Sequence, residues 1–393
     1  MSAKQKQFLH SSVFFVLLAL VFTVSMGYGI VLPVLPSFLE RLPASAGRIS
    51  VSWHTGLLTG TYMLALFLFA PLWGFISDHA GRRKVILLGL VGFAGAMLWF
   101  ALARQLAFVY AARALAGAFA AAVLPAVLAW VGDACRAQER AAAFARLSAA
   151  SALGFLFGPA LGGWLASVES IGGVAALALP FYATAAIGGG MWFAAYLWLP
   201  ESSMQPAREN TSQPDTPALF GLLALSLLVM FGIGSFEVGL ALQGQQMLNL
   251  RPREIGWMFA ECSLIMILVQ VFVLAPLLRR VGSRLLAPAF LAMATGVALL
   301  PYATTYPLLI IGLGLVAGAS GVLIPALAYL VSLAAGTRQG AALGKQTAAA
   351  SLGQASGSAV AGWLFAVLIG HSFWVTAALL AFAAVAAFRI AEA

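Results

Sequence analysis

The sequence predicts an all-α membrane protein of twelve transmembrane helices arranged as two pseudo-symmetric six-helix bundles. Three observations carry that prediction: a composition too apolar for water, twelve apolar runs of spanning length, and a repeat relating the two halves. Of 393 residues, 62% are apolar and only 8% are Asp, Glu, Lys or Arg. A soluble domain carries about 25% charged residues and roughly 45–50% apolar ones. A water-soluble fold with so few charges would expose large apolar patches. The composition therefore excludes a soluble enzyme, a disordered chain and a nucleic-acid binder. A membrane helix takes about 20 predominantly apolar residues, so the apolar content suffices for roughly twelve.

Runs bounded by charges or Gly/Pro clusters define the elements in order. Spans 1 to 6 cover 11–38, 54–77, 85–103, 106–131, 141–166 and 174–199. Spans 7 to 12 cover 218–247, 255–278, 285–303, 306–333, 341–368 and 372–390. Most connections are short, which makes sequence neighbours antiparallel. The longest polar stretch, 201–217, is rich in Pro, Ser, Thr and Gln and separates a first bundle (1–200) from a second (218–393). The first run is too long for a cleavable signal peptide. Cys135 and Cys262 offer neither a disulfide framework nor a zinc spacing.

Charge sets the orientation. With the N-terminus inside, fifteen Lys and Arg fall on cytoplasmic segments, from Lys4 and Lys6 through Arg82, Arg83 and Lys84 to Arg389. Only five, Arg41, Arg48, Arg104, Arg251 and Arg253, fall on outer loops. That bias, with an even number of spans, places 201–217 and both termini in the cytoplasm.

The halves repeat at a nearly fixed offset. Gly154, Gly158, Gly163 and Trp164 of span 5 return 199 residues later as Gly353, Gly357, Gly362 and Trp363 of span 11. Ala116–Pro125 of span 4 is echoed by Ala317–Pro325 of span 10, and Gly81 and Arg83 answer to Gly282 and Arg284. Repeats of this kind are a feature of secondary transporters, whose substrate sites lie near the midplane between them.

The loop after span 2 reads Gly74-Phe-Ile-Ser-Asp78-His-Ala-Gly81-Arg82-Arg83-Lys84. Asp78 has two possible partners: Arg82, or the positive N-terminus of a neighbouring helix. Positive-inside topology explains Lys84 but not the Gly-x3-Asp-x2-Gly-Arg-Arg spacing. The pattern resembles the signature loop of the major facilitator superfamily, departing from it at His79, where the family has Arg or Lys. Arg113-Ala-Leu-Ala-Gly117 in span 4 looks like the family's buried Arg motif. Gly154-Phe-Leu-Phe-Gly158-Pro159-Ala-Leu-Gly162-Gly163 in span 5 resembles the motif of drug/proton antiporters with twelve spans. Glycines four apart let helices approach closely, and Pro159 bends the span. The resemblance extends to Asp133, Glu139 and Arg140 after span 4 and to Leu199-Pro200-Glu201-Ser202 after span 6.

The resemblance implies two six-helix bundles around a central cavity, rocking between inward-open and outward-open states, in a monomer of a bacterial inner membrane. It implies proton-coupled export of a small amphipathic compound. Pro33-Val-Leu-Pro36 is also similar to tetracycline/proton antiporters. Their intramembrane acids in spans 1, 3 and 9 are missing here, with Val24 at the place in span 1, so that substrate and that coupling site do not carry over. Alternatives are export of an endogenous metabolite such as a siderophore, sugar or lysolipid, or a transport-inactive, receptor-like member.

The chain has no Walker-type phosphate loop, HExxH or nucleophile elbow, and its four histidines form no metal pattern. No cofactor and no enzyme activity are expected; the expected partners are a small-molecule substrate, protons and the bilayer. Tyr28, Phe155 and Tyr329 either face the cavity or anchor and pack their helices. Gln243, Gln246, Gln270, Gln346 and Gln354 either line the cavity or bond a neighbouring helix. Ten of the twelve acidic residues sit in loops, tails or span ends, which leaves Glu237 in span 7 and Glu261 in span 8. An acid inside a span is costly and suggests function. Counted inward from Leu242 and Ile255, they lie about 7–9 Å deep, and Arg113 about 10 Å deep from the same side. Glu237 is the expected proton carrier, because span 7 lines the cavity in this fold, with Glu261 secondary. The bland alternative is a cap, an ion pair with Arg113, or a side chain in an outer vestibule.

Overall fold

A lipid interior offers no hydrogen-bond partner to the backbone, so an apolar run of spanning length closes into helix. The computed structural model describes residues 12–42, 48–135, 137–168, 175–201, 217–303, 306–334, 339–368 and 371–392, and every regular element among them is helical. The side chains of Asp133, Glu139 and Arg140, and residues 202–216 of the polar stretch, lie outside the described set. Among the described residues, eleven helices are long and apolar enough to cross a membrane. Gln339–Val367, at the place of span 11, has the length with 29 residues. Its Gln, Ser, Thr and Gly residues keep it out of that apolar set.

Two spans differ from the runs read off the sequence. Span 1, expected to be continuous over 11–38, ends as a helix at Gly29 and resumes at Leu35–Glu40. Pro33 has no N–H for the Gly29 carbonyl and disfavours helix at the residue before it. The Leu32 N–H takes that carbonyl instead, at 3.2 Å, in a tighter turn. Span 8 begins as Pro252–Leu268, passes through a π-helical turn at Val269–Val273, and continues as Leu274–Val281. Pro276 cannot donate to the Phe272 carbonyl four residues back. Just before it the ladder widens, with the Leu274 N–H bonded to the Val269 carbonyl.

The chain forms two compact units. The first is Met1–Phe38, Leu64–Asn210 and Pro252–Trp257, and the second is Leu39–Met63, Thr211–Arg251 and Met258–Ala393. The opening turns of spans 2 and 8 thus belong to different units from the rest of those helices.

The same device holds each unit. In the first, span 5 lies on span 1, and a Cβ at Gly154 or Gly158 would come within 2.6 Å of the Phe22 carbonyl oxygen or 2.5 Å of that of Met26. In the second, span 11 lies on span 7, with Gly353 and Gly357 against the carbonyls of Leu227 and Phe231. The turns after spans 2 and 8 match as well, at Gly81 (φ 96°) and Gly282 (φ 60°). Large apolar side chains such as Phe75, Phe272 and Phe382 stay exposed, as suits a surface solvated by lipid tails.

Candidate functional site

The loop after span 2 folds into a charge cluster within the first unit. Asp78, on the last turns of the span 2 helix, pairs with Arg82 at the start of span 3. Arg82 also donates to the Ser77 hydroxyl at 3.1 Å. Of the two partners open to Asp78 in the sequence, the structure shows the arginine. Arg83 reaches the end of span 6: it donates to the Tyr196 carbonyl at 2.7 Å and lies 5.5 Å from the centre of that ring. It also lies 3.9 Å from the Glu201 carboxylate. A cation at a helix C-terminus meets carbonyls that have no partner in the helix. Gly74, in contrast, has open space around it.

In the interior of that unit, Arg113 of span 4 is completely buried. Its guanidinium carbon lies 5.5 Å from the ring centre of Tyr28 in span 1. Tyr28, itself 1% exposed, meets Phe155 of span 5 edge-on with centroids 5.8 Å apart. The motif of span 5 serves approach throughout its length. The Pro159 ring would lie 2.9 Å from a Cβ at Gly29, Gly162 faces the Ile30 carbonyl, and Gly163 faces the backbone of Pro252 and Arg253.

The second unit holds the two acids found inside spans, Glu237 and Glu261. Glu237 of span 7 accepts a hydrogen bond from the Gln354 Nε2 of span 11 at 2.9 Å. The pairing follows from the helix contact below it. Gly234 lies against the Gln354 carbonyl, and Glu237 is three residues further on the same face. Ser235 donates to the Gly357 carbonyl at 3.0 Å, and the Ser358 hydroxyl lies 3.4 Å from that of Gly234. Glu261 stands half-buried on span 8 beside buried Cys262.

The remaining glutamines tie helices together, apart from Gln270, which lies half-buried on the π-helical turn of span 8. Gln243 donates to the Leu300 carbonyl at the end of span 9. Gln346 donates to the Ser226 hydroxyl at 3.2 Å, and Gln246 exchanges hydrogen bonds with Ser52 of span 2 at 3.1–3.2 Å. Tyr329 is half-exposed on span 10. Sequence reasoning passed over Ser52, Gln245 and Glu40, the last two joined at 2.8 Å. The available signal was the Ser52, Gly56, Gly60 spacing. Those glycines seat the start of span 2 on span 11, with Gly56 facing Ser358 and Gly362, and Gly60 facing Ala355.

Spanning helices, the internal repeat and acids and amides inside the spans define a multi-pass membrane protein built as a secondary transporter is built. The family model of the Major Facilitator Superfamily matches residues 17–246 and 222–393. The chain belongs to that superfamily and is a membrane transporter. It is 27% identical to Multidrug resistance protein 2 of Bacillus subtilis (strain 168), over 92% of this chain and 91% of that one. With Quinolone resistance protein NorA of Staphylococcus aureus (strain COL) it shares 26% identity over 90% of each. A bacterial homolog to the human lysosomal transporter Spinster, in an inward-facing and unoccupied conformation, matches with a TM-score of 0.80 at 15% identity over 97% of both chains. The D-xylose-proton symporter matches with a TM-score of 0.76 at 14% identity, over 96% of this chain and 97% of that one. These structural likenesses establish the fold.

Proposed function

We propose that this protein exports small amphipathic, drug-like compounds from a bacterial cytoplasm in exchange for protons. The observation that carries the reading is Glu237, an acid nine residues from the Gln246 end of its helix, about 14 Å along the axis, bonded to the neutral amide of Gln354. A carboxyl so placed is costly and by default marks a functional site. An amide can donate to an ionised carboxyl and accept from a protonated one, so this bond is compatible with a proton taken up and released. The similarity to multidrug and quinolone resistance proteins supports the substrate class and the outward direction. The loop cluster at Asp78 and Arg82 belongs at the cytoplasmic end, with both termini on that side. There it holds one state of the cycle, and the family resemblance assigns Asp133 to the same gating motif. Arg113 supplies a fixed buried cation in the first unit, Glu261 is the secondary acid, and the protein works as a monomer without a cofactor and without enzyme activity.

Transport in proteoliposomes with an imposed pH gradient tests this, with ethidium as the probe. Wild-type protein should move ethidium uphill. Glu237→Gln should lose uphill movement while keeping flux down a substrate gradient, and Glu261→Gln should keep most of both. Full uphill transport with unchanged pH dependence in both variants rules out coupling through these acids. No flux of any compound in the wild type would favour the receptor-like alternative.

A further inference from the structure

We infer that Gln354 is a positioning residue for the proton-binding carboxyl, a neutral, reversible partner that Glu237 keeps in both of its protonation states. The inference rests on the reading of Glu237 as the coupling acid.

The placement of Gln354 is fixed by backbone. Gly353 and Gly357 bring span 11 against the Leu227 and Phe231 carbonyls of span 7, and Gly234 receives the Gln354 carbonyl itself. Gln354 is 6% exposed. Its side chain therefore leaves a rigid helix contact and meets Glu237 at 2.9 Å. A primary amide carries both a donor and an acceptor. To the ionised carboxylate it gives an N–H. After a half-turn about its last torsion it gives the carbonyl oxygen to the carboxylic O–H. Lys or Arg would bind only the ionised form and hold it there; an apolar residue would bind neither. An amide suits an acid that must change state in every cycle.

The elements packed on span 7 carry further titratable groups, and Glu40 meets its Gln245. The helix packs on spans 10, 11 and 12. Span 11 brings Lys345, nine residues from Gln354, or about 14 Å. Span 12 brings Arg389, nine residues beyond Leu380, which meets Gly232. Span 10 carries Tyr306 at one end and Tyr329 toward the other. The start of span 2, seated on span 11, adds His54 and buried Tyr62. Of these groups the histidine, His54, is the one to control for.

The test is the pH profile of ethidium transport between pH 6 and 9 in proteoliposomes, for Gln354→Met with and without Glu237→Gln. Methionine keeps the length and loses the amide. Both bonds are lost, but the N–H to the ionised carboxylate is charge-assisted and the stronger of the two, so the midpoint should move to higher pH by about one unit, a tenfold change in proton affinity. In the Glu237→Gln background, adding Gln354→Met should leave the profile of downhill flux unchanged, and any titration of His54 would persist there. A wild-type midpoint in Gln354→Met overturns the inference. So does a raised KM at an unchanged midpoint, which would make Gln354 a substrate contact, or an equal shift in the Glu237→Gln background. If Gln354→Met fails to insert, Gln354→Asn, which withdraws the amide by one methylene, is read instead, and an unchanged midpoint again overturns it. Failure of the underlying reading looks different: Glu237→Gln alone then transports uphill as the wild type does, and the inference falls with it.

Discussion

Gly158 has no room for a side chain, because the carbonyl oxygen of Met26 stands 2.5 Å from where its Cβ would be. Gly357 stands in the same relation to Phe231, 199 residues later. Each glycine lets two helix backbones touch, and the resulting contact fixes where the polar side chains of span 5 or span 11 arrive. Gly158→Leu must push span 5 off span 1. Overpacking of this kind costs about 1–3 kcal/mol, and it separates Tyr28 from Phe155 as well. Gly158→Leu is expected to lower the melting temperature and abolish ethidium efflux, with Gly158→Ala intermediate. Gly189 of span 6 has open space around it, so Gly189→Leu serves as the control. Normal efflux in Gly158→Leu would refute the role of the span 5 motif in close approach.

Asp78 and Arg82 are ion-paired in a partly solvated loop, with the Asp78 side chain 40% exposed. Pairs of that exposure contribute about 0–1 kcal/mol to stability. Asp78→Asn should therefore leave expression and thermal stability near wild type. Under the proposed function its effect falls on the cycle, since a contact made in one state biases the equilibrium between states. Transport in Asp78→Asn is expected to fall roughly tenfold, the equivalent of about 1.4 kcal/mol on the limiting barrier. Wild-type turnover would remove the loop from the mechanism.

The two glycines of that loop should respond differently to one methyl group. Gly81 turns the chain at φ 96° and ψ 144°, a conformation essentially reserved for glycine. Gly81→Ala should cost about 1–3 kcal/mol of local stability and disturb the Asp78–Arg82 pair across the turn. Gly74 lies inside the span 2 helix with nothing within 4 Å of a new Cβ. Alanine is the better helix former there, by about 1 kcal/mol. Gly74→Ala should leave melting temperature and transport unchanged or raise the former. Equal losses from both substitutions would show that the motif's spacing, rather than the conformation of Gly81, carries the effect.

The spans were legible because membrane insertion depends on apolar length, a property of sequence alone. The repeat was legible because the same glycines make the same contacts in both halves, at Gly158 and Met26 and at Gly357 and Phe231. Contacts between distant segments were not legible. Glu237 and Gln354 were each singled out from the sequence, yet nothing in 117 residues of separation announces their hydrogen bond. It depends on span 11 settling against Gly234. Ser52 and Gln246 were joined by the seating of span 2 on span 11, which a composition-based reading of span 2 treats as one more apolar helix. The break in span 1 was hidden for a related reason: Gly29 to Val34 is as apolar as its flanks, and only Pro33 marks the place.

Arg113 and Tyr28 give the last prediction. A guanidinium with no exposed surface is expensive to keep in a membrane interior, and the Tyr28 ring face, 5.5 Å from its central carbon, is part of what makes it tolerable. The ring packs in turn against Phe155 in a T-shaped pair. A desolvated cation over an aromatic ring gains about 1–2 kcal/mol, and the delocalised, weakly hydrated guanidinium suits a ring face better than a compact ammonium does. If the ring face is what matters, Tyr28→Phe should retain most of the transport rate and thermal stability. Tyr28→Leu should lose about 1–2 kcal/mol of stability and a large part of the rate. Arg113→Lys should resemble Tyr28→Leu, although the charge is conserved. Melting curves of the purified variants and ethidium efflux in the same proteoliposomes measure both quantities. Equal behaviour of Tyr28→Phe and Tyr28→Leu would show that the phenol oxygen or simple bulk matters instead. Wild-type efflux in Arg113→Lys would show that any cation in span 4 suffices.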